Sequence, residues 1–299
     1  MIKRIVDVSE PSYLHLAHKQ LIIEQKGEAV GQIPIEDLGV LILQNPAIVA
    51  TQAALLACQQ NNEAVVLCDQ RHLPYSVLLP LTEANSLHSK IIRQQIAVNL
   101  PTRKRLWQQI VRQKIAAQAI VLKRLNKNTV ALERLAAQVK SGDGDNLEAQ
   151  AAQKYWRLLF GDQFRRDSEA AGINSLLNYG YAIMRALVAR AIVASGLHPA
   201  LGVNHSNQYD GLCLADDLME PFRPWIDYQV YRLAEESADL AIDKRSKVAL
   251  LNLLSEPVIF GKQTLPLMVA CHYLLADFKR AYADRSAKLE YPRWTVLEP

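Results

Sequence analysis

The chain has 299 residues and a net charge of +4, and half of its residues are apolar, enough for one large core or two smaller ones. It has no run of about 18 uncharged apolar residues, and Met1-Ile2-Lys3-Arg4-Ile5-Val6-Asp7 lacks the apolar core of a secretion signal, so neither a membrane span nor a leader is expected. Four scattered cysteines (Cys58, Cys68, Cys213, Cys271) form no C-x-x-C pair or zinc spacing, which argues against a disulfide framework and for a reduced, cytoplasmic protein.

The first eighty residues read as mainly β. Arg4 to Val8 is a short strand, and Tyr13–Leu16 and Leu21–Glu24 flank Ala17-His18-Lys19-Gln20 as a hairpin. Ala29 to Ile33 is a third strand, broken by Pro34, and Val40–Leu43 is a buried strand ended by Asn45-Pro46. Thr51 caps a helix through Gln60, and Ala64–Cys68 returns to β.

Beyond Pro74 and Pro80 the apolar spacing becomes helical. The domain boundary is therefore placed near residues 78–90. The expected class is α+β: a β-rich domain over 1–85, a larger all-α domain over 86–285, and a tail over 286–299 whose aromatic residues could dock on a neighbour. Helices are expected at Ser89–Leu100, Thr102–Leu125, Thr129–Lys140, Asn146–Phe160, Ser175–Ser195, from Ala215 through Met219 and onward, Val230–Leu240, Lys244–Leu254 and Thr264–Asp284. The charge is segregated along this part. Lys90 to Lys140 carries twelve Lys and Arg against the single acid Glu133, so that block is +11 and the remainder is −7. The plain alternative is a solvated helix face, but such faces usually mix signs, so this asymmetry points to a polyanion such as nucleic acid. Arg103, Lys104, Arg105, Arg112 and Lys114 are the chosen phosphate contacts. Tyr13 and Tyr209 offer stacking surfaces, though ordinary packing or exposure accounts for them equally well.

Chemistry is concentrated between Gly196 and Pro224. A polar loop carries His205, and a following helix presents Asp217 and Glu220, three residues apart and so on one face. One imidazole and carboxylates from separate segments are donors for a divalent ion. A third donor comes from Asn146–Phe160. At 100° per residue, Ala151, Ala152, Tyr155 and Leu159 lie within about 60° of Glu148, while Gln150, Gln153, Lys154 and Arg157 lie on the far side. Glu148 is either a first-turn acid complementing the helix dipole after an Asp145/Asn146 cap, or a ligand facing the core. A dipole acid would more naturally face water, which favours the ligand. His205 alone is weak evidence, and Asp217 and Glu220 alone suit an exposed helix edge as well as a site. Cys213 reads as core, and Ser195 and Ser206 as a helix end and a loop hydroxyl. Arg185 sits on the shoulder of its helix's apolar face, ready for a carboxylate or phosphate, whereas Arg190 points away toward solvent. No Walker A, G-x-G-x-x-G, G-x-S-x-G or H-E-x-x-H motif occurs.

The segments Glu148-Ala149-Gln150-Ala151-Ala152-Gln153-Lys154-Tyr155-Trp156, Asn174-Ser175-Leu176-Leu177-Asn178-Tyr179-Gly180-Tyr181, Gly196-Leu197-His198-Pro199 and Asp217-Leu218-Met219-Glu220-Pro221-Phe222-Arg223-Pro224 together resemble the CRISPR-adaptation integrase family. Length and N-terminal pattern resemble its short subfamily beside type II single-effector systems. The resemblance implies Glu148, His205 and Glu220 as catalytic metal ligands for Mg²⁺ or Mn²⁺, with Asp217 as a possible second acid. Relatives often carry Asp where this chain has Glu220. It further implies a β-rich dimerisation domain, a homodimer, and a small ferredoxin-like adaptation protein bridging two dimers. The expected activity joins the 3′-hydroxyls of incoming DNA to a repeat by transesterification, with hydrolysis as a side reaction. Two other readings remain open: a catalytically silent helical DNA-binding scaffold, and a metal hydrolase of small phosphate esters.

Overall fold

The computed structural model describes residues 3–70, 72–80, 84–237, 240–284 and 287–295. Its N-terminal part comprises β1 (Arg4–Val8), β2 (Tyr13–Ala17), β3 (Gln20–Gln25), β4 (Glu28–Pro34), β5 (Leu38–Leu43), β6 (Val49–Ala50), α1 (Gln52–Gln60), β7 (Ala64–Cys68) and β8 (Pro74–Leu78). β2, β3 and β4 form an antiparallel meander, with Leu14 opposite Ile23 and Leu16 opposite Leu21. The expected hairpin turns at His18 and Lys19, both at positive φ, the geometry whose twist matches the flanking strands. β1, β5 and β7 run parallel, and β8 closes that sheet antiparallel at one edge.

All six residues of β5 are buried, the pattern of a parallel strand covered on both faces. Strand alternation sorts its side chains. Leu41 and Leu43, with Val65, join Leu14, Leu21, Ile23, Ala54 and Cys58 in a core shared by the two sheets and α1. Val40, Ile42, Ala64 and Val66 face the other way, into the core of the helical part.

That part contains α2 (His88–Ile96), α3 (Leu100–Arg124), α4 (Val130–Gln138), α5 (Leu147–Phe160), α6 (Ile173–Ala194), α7 (Cys213–Met219), α8 (Arg223–Glu236), α9 (Lys244–Asn252), β9 (Pro257–Phe260), β10 (Gln263–Pro266), α10 (Leu267–Ala283) and β11 (Arg293–Trp294). A strand-rich N-terminal region followed by a mostly helical one is the expected α+β class. One departure is a small antiparallel sheet in the order β10-β9-β11 inside the expected helical region. Gly261, at φ +61°, turns the chain between β9 and β10, so the last helix starts at Leu267 and not at Thr264. β8 was likewise not expected.

α6 is long and apolar enough to cross a membrane by length and composition, yet 83% of its apolar window is buried inside the protein. It is the central helix of the core. At Gly180 a Cβ would lie 2.4 Å from the Ile226 side chain, so α8 crosses α6 where glycine allows close approach. Ser175, Asn178, Ala182 and Arg185 line the half-exposed side of α6, whereas Arg190 lies among the buried residues, and this corrects the expectation for Arg190. Its side chain is 5% exposed, donates from Nε to the Asn62 carbonyl at 2.5 Å, and pairs with Glu63 at 3.2 Å. Lys3 meets the same Glu63 at 2.6 Å, so α6 is pinned to the parallel sheet by a buried ionic cluster. A second polar chain, Asp7–Gln44–Lys247, ties the sheet to α9.

The tail also departs from expectation. Tyr291 is buried, Trp294 stacks on Trp225 of α8 with centroids 3.9 Å apart, and β11 pairs with β9. These aromatic residues dock on their own chain. Residues 81–83, within the expected boundary region, and 286 and 296–299, within the expected tail, lie outside the described residues.

Candidate active site

Four segments deliver the nominated side chains to one place. α3 is capped by Asn99, whose side chain accepts the Thr102 amide at 3.0 Å, and it carries Trp107 and Lys114 through the core. α5 starts after a tight turn at Ser141–Asp143. Asp143, not Asp145 or Asn146, caps it: its carboxylate oxygens accept the amides of Leu147 and Glu148, each at 3.0 Å. The backbone of Glu148 is thereby fixed. Ala151, Tyr155 and Leu159 below it are buried, while Gln150, Gln153, Lys154 and Arg157 are exposed, as the helical spacing predicts.

α7 runs into a single 3-10 turn, Glu220–Phe222, before α8. Pro221 and Pro224 suit the first turns of these segments, where an amide donor is not required. The turn leaves Glu220 buried in the interior. Its Oε2 lies 2.5 Å from Lys114 Nζ and its Oε1 lies 2.9 Å from Arg223 Nε. The same Lys114 ammonium meets Glu148 Oε1 at 2.6 Å. Glu148 and Glu220 therefore converge on one point from different helices. Burial alone would raise the Glu220 pKa, but Arg223 and Lys114 outweigh it and hold the carboxyl below its ordinary range. Burial likewise opposes the charge on Lys114, and Glu220 and Glu148 raise its pKa in spite of it.

His205 is held by Asp217, which is wholly buried. Asp217 Oδ1 contacts His205 Nδ1 at 2.5 Å, and Oδ2 accepts the amides of Val203 (2.5 Å) and Asn204 (2.9 Å). The hydrogen bond to Asp217 is the main reason the His205 pKa is raised; burial opposes it, and the charges of Asp217, Glu220 and Glu148 add to it. With Nδ1 engaged, Nε2 is the ring nitrogen left for a ligand. The Trp107 ring meets the imidazole edge-on, with centroids 5.7 Å apart. Arg185 anchors the far end of the loop, pairing with Asp210 at 2.6 Å and Asp216 at 2.7 Å.

Behind Glu220, the Arg223 guanidinium lies over the Tyr181 ring at 4.7 Å, and Arg166 lies over the same ring at 5.5 Å. Tyr181 donates to the buried Asp227, whose pKa burial pushes up to about 7, against the hydroxyls of Tyr181 and Tyr155 and the charge of Arg223. Sequence reasoning missed the parts played here by Lys114, Arg223 and Asp143. Arg223 and Asp143 have visible signals, since one closes the Asp217–Pro224 segment and the other sits in a Gly-Asp-Gly-Asp turn. Nothing in the spacing shows that Lys114 faces two carboxylates.

The expected phosphate contacts divide. Arg103 donates to the Val203 carbonyl at 2.9 Å, Arg105 to Ala281 at 3.0 Å, and Lys114 is placed as described. Arg112 is exposed while donating to the Val139 carbonyl at 2.7 Å. Lys104 is exposed and packs its stem against Gly142. Tyr209 is 88% exposed and Tyr13 44%.

Among the described residues, no three His, Cys, Asp or Glu side chains stand close enough to enclose an ion as they lie. The donor chemistry nonetheless fits a hard divalent cation. Glu148 and Glu220 meet at Lys114, the charges of both act on the His205 imidazole, and Glu220 Oε2 is buried without a hydrogen bond, its ionic contact with Lys114 notwithstanding.

The family model for CRISPR associated protein Cas1 matches residues 6–243. The chain belongs to the Cas1 family. It is 36% identical over 278 residues to the CRISPR-associated endonuclease Cas1 of Neisseria meningitidis, covering 92% of this chain and 90% of that protein. Its Cas1 fold is shared with a casposase bound to an integration product (TM-score 0.79, 19% identity, 100% and 96% of the two chains). A Cas6-RT-Cas1–Cas2 complex also matches (TM-score 0.74, 17% identity, 96% of this chain and 36% of that one).

Proposed function

We propose that this chain is a divalent-metal-dependent DNA integrase and endonuclease of CRISPR adaptation, acting in the cytoplasm. The observation that carries this reading is the convergence of Glu148 and Glu220 on one cation beside an imidazole oriented by the buried Asp217. The names of the relatives support it: the meningococcal protein is called an endonuclease, and the casposase was captured with an integration product.

Glu148, His205 and Glu220 would hold Mg²⁺ or Mn²⁺, which when bound neutralises charge developing at phosphorus and eases loss of the attacking hydroxyl's proton. Asp217 keeps His205 in one tautomer and one orientation. Arg223 and Lys114 place positive charge at the carboxylates. In strand transfer, a phosphorus–oxygen bond forms to the 3′-oxygen of the incoming DNA, and one breaks to the repeat's own 3′-oxygen. The leaving oxygen gains a proton as the attacking one loses its own. The number of phosphodiesters is conserved, so no nucleoside triphosphate is consumed. Water in place of the 3′-hydroxyl gives hydrolysis.

Double-stranded DNA is the proposed substrate, held by exposed cations of the Lys90–Lys140 block such as Lys104, Arg112, Arg134 and Lys140, which fix register and not sequence. The proposed assembly is a homodimer through the strand-rich domain, with a small ferredoxin-like adaptation protein bridging two dimers. The naming of one structural neighbour as a Cas1–Cas2 complex supports such a partner.

Strand transfer of a labelled oligonucleotide into a supercoiled repeat plasmid, with Mg²⁺ or Mn²⁺, tests the reading. Glu148→Gln, His205→Ala and Glu220→Gln should each abolish transfer while DNA binding stays within a few-fold of wild type. The silent-scaffold reading draws on one observation, that Lys114 already forms an ion pair with both carboxylates. It requires no transfer by the wild type with either metal.

A further inference from the structure

Lys114 reaches its two partners from the middle of α3, with 13% of its side chain exposed, against 22% for Glu148 and 6% for Glu220. Arg223 supplies a second cation at Glu220, so two carboxylates face two positive groups and the local charge is balanced by the chain itself. A divalent ion entering between the same oxygens meets the ammonium as a competitor, and like charges at contact distance in a partly dry site repel strongly. The two cations differ in freedom. Arg223 is pinned over Tyr181, with a rigid planar head. Lys114 is a point charge on a flexible stem, with its ammonium shared between Glu148 Oε1 at 2.6 Å and Glu220 Oε2 at 2.5 Å.

Resting on the metal-dependent reading above, we propose that Lys114 makes ion binding and DNA binding mutually dependent. In the free protein its ammonium neutralises Glu148 and Glu220 and holds their positions. When DNA enters, a backbone phosphate offers the ammonium an alternative anion, and the carboxylates are released to the ion. Linkage is reciprocal, so the ion also tightens DNA. Lys114 acts here as a positioning residue, and its consequence is that an ion-loaded site is rare without DNA.

Mn²⁺ binding to the full-length protein, followed by electron paramagnetic resonance of the free ion, tests this without turnover. It is measured alone and with a duplex ending in 3′-dideoxy nucleotides, which cannot react. For wild type the duplex should tighten Mn²⁺ by about tenfold or more. Lys114→Met should bind Mn²⁺ about tenfold more tightly than wild type without DNA, and the duplex should then add less than about threefold. Lys114→Arg keeps the charge and should retain most of the DNA dependence. Should Lys114→Met fail to fold, Lys114→Gln carries the same expectations. The proposal is overturned if the uncharged variant binds Mn²⁺ no better than wild type without DNA. It is equally overturned if DNA tightens Mn²⁺ as much in the variant, because the linkage then comes from phosphate on the ion. Wild type that binds no Mn²⁺ in either condition overturns the metal-dependent reading itself, and this inference with it.

Discussion

Asp217 and His205 lie 2.5 Å apart, yet one is wholly buried at the end of α7 and the other sits in an exposed loop. The same carboxylate gathers the amides of Val203 and Asn204, so one side chain folds the loop and aims the imidazole. Asp217→Asn keeps the shape and removes the charge that orients the ring. It is expected to weaken Mn²⁺ affinity or strand transfer by roughly 10–100-fold. Asp217→Ala leaves those amides without their acceptor and should also lower folding stability by about 1–3 kcal/mol, read in a denaturant titration. An alanine variant with wild-type transfer would remove Asp217 from the site.

Gly202 offers a sharper test of the same loop. A Cβ there would stand 2.3 Å from the His205 carbonyl oxygen and 2.9 Å from Asp217 Oδ2. The first neighbour is backbone and cannot swing aside. Gly202→Ala should therefore displace the loop, costing about 1–3 kcal/mol of stability, and reduce transfer at least as severely as Asp217→Asn. Wild-type stability and transfer in this variant would show that the loop is not held in the described conformation.

How far the sequence carried depends on whether a feature is local. The hairpin at His18-Lys19, the Thr51 cap and the helical face of Glu148 were legible because turn chemistry and a 3.6-residue period act over a few positions. In the sequence Lys114 is one of a row of basic residues, because charge says nothing of direction; only packing α3 against α5 and the Glu220 turn brings its ammonium to two carboxylates. The spacing points Arg190 to solvent, but sheet and helices cover α6 on most sides and leave only the stripe through Ser175, Asn178, Ala182 and Arg185 half-exposed. β11 has two residues and no pattern of its own, so its pairing with β9 is a tertiary fact.

Trp294 separates a tail that serves its own chain from one that serves a neighbour. It stacks on Trp225 with ring planes 15° apart, and the Arg124 guanidinium lies 5.4 Å from its centroid. Trp294→Ala should lower the stability of the isolated chain by about 2–3 kcal/mol, from lost apolar contact and stacking. The oligomeric state measured by light scattering should not change. A variant of unaltered stability with a changed oligomer would mean that the tail docks on another copy.

Glu63 links the parallel sheet to α6, and its titration gives the junction a pH signature. Burial pushes its carboxyl from an ordinary 4.5 up to about 7, while Arg190 and Lys3 pull it partly back. The folded protein therefore holds a proton, between about pH 4.5 and 7, that the unfolded chain has already released. The stability contribution of this group falls as pH rises through that window and is constant on either side. Glu63→Gln cannot titrate and resembles the protonated acid in shape. Relative to that variant, wild type should lose on the order of 3 kcal/mol between about pH 4.5 and 7.5. His272, whose pKa burial and Arg190 push down to about 4, titrates in both proteins and largely cancels in the difference. Denaturant midpoints of the two proteins across this range decide the matter. Parallel pH profiles would show that Glu63 remains ionised at the junction throughout, and that Lys3 and Arg190 outweigh its burial.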